Sequence, residues 1–427
     1  MDKKVTVENL SPYEKKLTVE VPAPLVEQAL QSYYASMSKS VKMKGFREGK
    51  APVQMVKMQF QGEVTREVIS RVMNETYSEA VTEQALFPVA QPRVEVQPWQ
   101  QGQPLVYTAC VEIKPPVEVK SYAGLSAEKE KISIDKKQVE ATLEQLRESK
   151  AQLKTVSVPR GIQAKDFVVM DFEGLMDGKV IPGGASQNFL YEMGSNRFVS
   201  GFEEGLKEMK PEEQKEIQVT YPQDFHEKKL AGKQVVFKVS VKEIKEKEMP
   251  PLDDVFAQQI EGCKSVEELR TKIHDDLVKR EENRIKKELE KKILTQLVEK
   301  NELTPPPSMV KQQYDFLVDD SQRRLTQMGL KDPELEEQLQ KWEPELQTRA
   351  QFDVKVVLLI EALVKKEKLE ISEKELDEGL EKIAKSANST VPKVKTYFKE
   401  KGTLSQVRWQ LLQDKAVEFL LSKAKIK

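Results

Sequence analysis

The spacing of apolar residues changes period several times along this 427-residue chain, so no single regular architecture fits it. KVTVENL and EKKLTVEVP near the start alternate apolar and polar residues. That pattern suits strands with one buried face. From Leu25 the period changes: Leu25, Val26, Ala29, Leu30, Tyr33, Tyr34, Met37 and Val41 recur at three and four, an apolar helix stripe. Pro52 suits the first turn of a second helix, where its missing N–H costs nothing. Val53, Val56, Met58 and Phe60 continue a short helix, and Val64, Val68, Val72, Thr76 and Ala80 a longer one. RVEVQPW and LVYTACVEI read as two more strands. The order ββααββ makes residues 1–115 one α+β domain.

KPPVEVKSYAGL then reads as extended linker, since prolines disfavour helix before them. DKKQVEATLEQLRESKAQL (135–153) has helical spacing, so 116–152 form a linker and helix. DFVVMDFEG, FLYEMG, EIQVTYP and QVVFKVSVKEI are short strands joined by glycine-rich links, which makes 153–248 a compact β-rich domain. Residues 249–427 are helical in pattern. Ser265 with Glu268 and Ser372 with Glu375 have capping-box spacing. TPPP (304–307) breaks the first long run, and a further stop is expected near Pro344. The whole is a multidomain α+β chain with an all-α C-terminal part.

Composition removes several functions. Lys plus Arg number 69 and Asp plus Glu 70, so there is no global positive field for non-specific nucleic-acid binding. Cys110 and Cys263 match no zinc or disulfide spacing. With His226 and His274 the only histidines, no histidine metal site is expected. The start MDKKVTVENL has no apolar signal core, and no apolar run is long enough to span a bilayer. A cytoplasmic chain without metal, cofactor or membrane contact is expected. Charged runs such as KREENRIKKELEKK (279–292) read as solvated helix faces.

The stretch KMKGFREGKAP (43–52 and its preceding basic residue Lys42) has the look of a phosphate loop and fails the test. A Walker loop needs G-x-x-x-x-G-K-[ST] after a strand. Gly45 and Gly49 enclose three residues, Ala51 stands where the hydroxyl belongs, and a helix precedes. No nucleotide is expected. What remains is a tip between helices, with Lys42, Lys44, Arg47 and Lys50 against Glu48 giving net +3. Two readings stay open on the residues. Phe46 folds back to staple the hairpin, or it docks into a partner's pocket while the basic residues meet phosphate or acid.

GFREGKAP closely resembles the ribosome-docking signature of the bacterial trigger factor family. The match is residue for residue at Gly45, Phe46, Arg47, Gly49, Lys50 and Pro52. The resemblance implies that Lys44, Gly45, Phe46, Arg47, Gly49 and Lys50 dock at the ribosomal exit tunnel, against a large-subunit protein and nearby ribosomal RNA. Arginine there grips a carboxylate or phosphate with two donors, which lysine does not.

VVMDFEGLMDGK, MGSNRFVSGFEEGLKEMK and VVFKVSVKEI are similar to the FKBP-type prolyl isomerase fold. The resemblance implies an apolar pocket lined by Phe172, Ile181, Phe189, Phe198, Val199, Phe202, Phe225 and Phe237. On the residues alone, strand aromatics in a small β domain are usually core, and Phe172 and Phe237 especially serve as both core and pocket wall in this reading. At GKVIPGG, Ile181 and Pro182 replace the family's usual aromatic and acidic pair, which predicts a less aromatic pocket and leaves the catalytic rate open.

Trigger factor's C-terminal body is helical with arms and includes the interdomain helix, which implies that 116–152 pack with 249–427. A dimerisation bundle is the alternative reading of those helices. Met309, Phe316, Leu317, Met328 and the run VVLLIEALV (356–364) are candidate client contacts. The resemblance implies an ATP-independent chaperone that holds nascent and unfolded polypeptides, isomerises prolyl bonds and forms a weak homodimer off the ribosome. A stand-alone prolyl isomerase or holdase without ribosome docking is the alternative.

Overall fold

A computed structural model describes residues 3–43, 46, 49–158, 160–176, 178–195, 197–199, 201–223, 230–260 and 262–426. The chain divides into two compact units, one formed by 1–129 with 286–427 and the other by 130–285.

The first unit opens with β1 (Lys4–Asn9) and β2 (Glu14–Val21), followed by helices α1 (Ala23–Met37) and α2 (Val53–Glu83). β3 (Arg93–Val96) and β4 (Leu105–Glu112) complete an antiparallel sheet in the order β1-β2-β4-β3. The ββααββ reading therefore matches the fold. Alternation sets the buried face: Leu17, Val19 and Val21 of β2 pair with Ala109, Tyr107 and Leu105 of β4. All six are fully buried, and a one-residue slip would turn them all to solvent. Val26, Leu30 and Tyr34 of α1 and Val56, Val64, Val68 and Val72 of α2 cover them. The two expected helices after Pro52 are one element, broken only at Phe60, where the backbone leaves helical angles. Pro52 is its cap, one place earlier than expected.

A segment from Lys114 to Leu125 follows without helix or ladder, leading to the two-residue strand β5 (Ser126–Ala127). Part of its backbone is hydrogen-bonded by side chains of the helical part. The Asn301 carboxamide accepts from the N–H groups of Lys120 (2.9 Å) and Ser121 (3.3 Å) and donates to the Ser121 and Leu297 carbonyls. Asn301 is buried, so all its polar capacity is committed here, as burial requires. Asn301→Ala strands two amides and is expected to cost about 1–3 kcal/mol. Hydrogen exchange at Lys120 and Ser121 reads this directly: unchanged protection would show that the contact is incidental.

The second unit begins with α3 (Lys136–Ser149), capped by a reciprocal box between Asp135 and Gln138. The expected helix to Leu153 ends four residues early. Gln152–Thr155 forms β6 instead, because the C-terminal end of a long strand offers it a free ladder edge. β7 (Phe167–Met176), β8 (Lys179–Glu192), the short helix α4 (Phe202–Leu206), β9 (Gln214–Thr220) and β10 (Gln234–Glu248) follow. β10 is the hub. It pairs with β7 along one edge and with β9 and then β6 along the other, while β8 lies outside β7. The glycine pair at 183–184 lies inside β8, where the register with β7 shifts twice. α5 (Asp254–Gln259) and the first half of α6 (Val266–Lys300) pack Phe256, Ile260, Leu269 and Ile273 onto Val139 and Leu143 of α3.

The rest of the first unit is helical: α7 (Pro307–Gln327), α8 (Glu334–Glu367), α9 (Glu373–Ser386), α10 (Val391–Glu400) and α11 (Leu404–Lys423), then β11 (Lys425–Ile426), which pairs parallel with β5. The stop expected at Pro344 does not occur, and α8 runs through it. Proline removes one intrahelical bond. Buried Leu335 before it and Leu346, Ala350 and Val354 after it hold both halves. Ser372 and Glu375 form the expected capping box. Among the described residues, no helix is long and apolar enough to cross a membrane.

Candidate functional site

Seven of the eight expected pocket residues come together in the second unit, and Phe225 lies outside the described residues. Phe172 comes from β7, Ile181 and Phe189 from β8, Phe198 and Val199 from the turn after β8, Phe202 from α4 and Phe237 from β10. The rings meet edge to face. Phe172 lies 5.4 Å from Phe189 and 5.2 Å from Phe198, and Phe202 lies 5.1 Å from Phe237, at interplanar angles of 84°, 88° and 77°. Such geometry brings positive ring edges to negative faces and adds about 0.5–1.5 kcal/mol per pair beyond burial. The alternatives of core and pocket are not exclusive, because Phe172, Phe202 and Phe237 are buried while Phe189, Phe198 and Val199 are partly exposed.

The backbone explains how the rings fit. Phe237 stands opposite Gly174 in the β7–β10 ladder. A Cβ at Gly174 would come within 2.8 Å of the Phe237 ring, so only glycine lets that ring lie across β7. Ile181, the departure from the family pattern, is buried beside it.

Two contributors escaped the sequence reading. Tyr191 is buried and stacks beside Phe189 at 6.5 Å, and its ring is 5.2 Å from Phe198. Its hydroxyl donates to Glu203 Oε1, which also accepts the Gly194 N–H at 3.2 Å. Burial pushes the Tyr191 phenol up, and the Glu203 hydrogen bond adds to it, so the ring stays neutral. Period-two alternation from Phe189 to Tyr191 and Met193 was the available signal. The second contributor is Asp171, which accepts from the Asn188 N–H (2.7 Å) and pairs with Lys242 (2.8 Å). Lys242 first, then the Asn188 amide, hold the Asp171 carboxyl below its usual range. This clamp fixes β8 one residue before Phe189.

The chemistry available is apolar. Twisting an X-Pro amide through its barrier of about 18–20 kcal/mol removes resonance and with it charge separation. A dry ring-lined site therefore favours the twisted amide over the planar one, without nucleophile or metal. Differential stabilisation of that kind is what lowers a barrier.

The tip in the first unit is described in part. Lys44, Gly45 and Arg47 lie outside the described residues. Phe46 is 39% exposed, although Met43 and Ala51 on either side are buried in the sheet–helix core. Gly49 has φ +77°, and a Cβ there would come within 2.7 Å of the Lys39 carbonyl oxygen. Glycine is needed on both counts. Lys50 is exposed.

Among the candidate client contacts, Phe316 and Met328 are 58% and 76% exposed. Leu317 is buried, and so are Leu358, Leu359, Ile360, Leu363 and Val364. The run 356–364 is therefore core, as its unbroken apolar character requires in a packed helix.

Residues 3–146 match the family described as bacterial trigger factor protein, 265–422 match bacterial trigger factor C-terminus, and 158–242 match FKBP-type peptidyl-prolyl cis-trans isomerase. Trigger factor of Geotalea daltonii is 34% identical over 99% of this chain and 97% of its own length. That of Acetivibrio thermocellus is 36% identical over 96% and 97%. A solved structure reported under "Promiscuous Substrate Recognition in Folding and Assembly Activities of the Trigger Factor Chaperone" aligns with 98% of this chain and 99% of its own, at 22% identity and a TM-score of 0.47. The chain belongs to the bacterial trigger factor family, and is a chaperone with a ribosome-binding N-terminal domain and FKBP-type peptidyl-prolyl cis-trans isomerase activity.

Proposed function

We propose that the tip at 44–50 is the ribosome contact, with Phe46 entering an apolar pocket of a large-subunit protein and Arg47 and Lys50 meeting acidic groups or RNA phosphates. Lys44, Gly45 and Gly49 complete the loop. The single observation behind this reading is Phe46. The residue is left 39% exposed while Met43 before it and Ala51 after it are buried, and burying such a side chain is worth roughly 1.5–3 kcal/mol. In this reading residues 1–115 dock, 153–248 isomerise, and 249–427 with 116–152 hold nascent and unfolded chains. Phe316 and Met328 are the client contacts we favour, since scattered adaptable apolar groups bind loosely. Release follows from weak affinity and from folding of the client, without ATP. A weak homodimer off the ribosome and a cytoplasmic location complete the proposal.

The residues we assign to the lining of the isomerase pocket are Phe172, Ile181, Phe189, Phe198, Val199, Phe202, Phe225 and Phe237. With Ile181 in place of an aromatic, a lower rate than that of a fully aromatic pocket is expected.

Co-sedimentation with ribosomes tests the docking assignment. The wild type is expected to pellet, and a triple alanine variant at Phe46, Arg47 and Lys50 to stay in the supernatant. If both pellet, another surface carries the contact. Binding is also expected to weaken with added salt if phosphates are touched, and a salt-independent affinity would remove RNA from the proposal.

A further inference from the structure

A site that seats a prolyl ring needs a flat floor that solvent can reach. Phe202 is the central buried ring of this cluster, yet it is 0% exposed. Phe237, Ile181 and Phe172, which surround it, are 2%, 6% and 8% exposed. What lies on Phe202 is Phe198, stacked at 4.1 Å with an interplanar angle of 18°. At that separation the two rings are in contact, so Phe198 itself takes the place on Phe202 that a pyrrolidine would need. The same Phe198 ring meets Phe172 at 5.2 Å, Tyr191 at 5.2 Å, Phe189 at 6.0 Å and Phe237 at 6.1 Å, all steeply inclined. One side chain of the protein thus fills a box with one stacked wall and four edge-on walls.

Phe198 also differs from those walls in how it is held. It lies in the turn between β8 and α4, outside any strand ladder, and it remains half-buried, with part of its ring toward solvent. A χ1 rotation is enough to swing such a side chain between staggered positions.

We infer that Phe198 occupies the prolyl seat of the isomerase site and must leave its stack on Phe202 before an X-Pro segment enters. This rests on the reading of the ring cluster as the isomerase pocket. Phe198 is then a positioning residue that sets the fraction of competent sites, and the apparent affinity falls by that fraction. Self-closure has a physical advantage in a chaperone: an empty ring-lined box would itself be an exposed apolar patch.

The test compares full-length wild type, Phe198→Val, and Phe202→Ala in cis–trans exchange of a short X-Pro peptide, with kcat and KM separated. Phe198→Val empties the seat and keeps an apolar rim. It is expected to raise kcat/KM by roughly tenfold, mainly by lowering KM, as for a site that is open about one-tenth of the time in the wild type. A fall in kcat/KM with Phe202→Ala inactive would overturn the gate and leave the pocket reading standing. Full activity in Phe202→Ala would instead overturn the pocket reading, and the gate with it. Wild-type protein gives a second measurement that does not depend on any variant folding. With the phenylalanine rings isotopically labelled, saturating X-Pro peptide is expected to remove the ring-current shift that Phe202 imposes on Phe198. Retention of that shift at saturation would overturn the proposal.

Discussion

Phe202→Ala is expected to abolish prolyl isomerase activity while leaving the full-length protein able to suppress aggregation of a proline-free client. Phe202 is fully buried and lies 4.1–6.3 Å from Phe198, Phe237 and Tyr191. Truncating such a ring costs about 3–5 kcal/mol, a large share of the 5–15 kcal/mol that holds a typical domain. Phe202→Leu separates chemistry from folding, because it keeps apolar volume but removes the flat face. It is expected to keep the unit folded and still lose most activity. The client surfaces we favour, Phe316 and Met328, belong to the other compact unit, so holdase activity should survive both changes. Equal loss of holdase and isomerase activity in Phe202→Leu would refute that division of labour.

The strands and helices around this site were largely legible because each carries one period. Leu17, Val19 and Val21 bury one face at intervals of two, and α1 buries Val26, Leu30 and Tyr34 at intervals of four. Where the reading failed, non-local pairing decided the outcome. Gln152–Thr155 continues a helical pattern in sequence, but β10 supplies it with a ladder partner some ninety residues away (Lys245 to Thr155, for example). Local pattern cannot register that gain. Pro344 failed in the opposite sense: a strong local breaker lost to burial of Leu346 and Ala350 beyond it.

The pocket shows the same limit. Its residues carry over from a family resemblance, and the structure brings seven of them together. That Phe198 lies flat on Phe202 could not be read from FVSGF, because ring orientation depends on Phe172, Phe189 and Phe237 from three distant strands. Likewise the exposure of Phe316 and the burial of its neighbour Leu317 follow from which face of α7 meets α8, where Leu317 packs with Leu346 and Ala350.

The entry to β7 is held by a charge pair whose loss is expected to have the second largest effect. Asp166 is buried and accepts from the two terminal guanidinium nitrogens of Arg160, at 2.5 and 2.9 Å, and from the Gln163 N–H at 2.8 Å. Burial pushes the carboxyl up, but Arg160 and the Gln163 amide outweigh it, so Asp166 titrates below its usual range. A carboxyl depressed in the folded state stabilises above its unfolded pKa, and that contribution is lost as pH falls through the folded pKa. The window therefore opens below about pH 4, the ordinary aspartate value, and at neutral pH the contribution is complete. Asp166→Ala leaves the Gln163 amide without its acceptor and takes the bidentate partner from Arg160, which still has the Gly161 carbonyl (3.1 Å) and Glu246 (3.5 Å), at a cost of about 1–3 kcal/mol. Asp166→Asn should fall between, since it keeps an acceptor but not the charge. Hydrogen exchange along β7 and β10 in the full-length protein measures the difference. Wild type and Asp166→Asn are expected to converge as the pH drops through the window, because the wild-type carboxyl becomes protonated there. A gap that persists unchanged into acid would mean that the pair contributes through packing and not through charge.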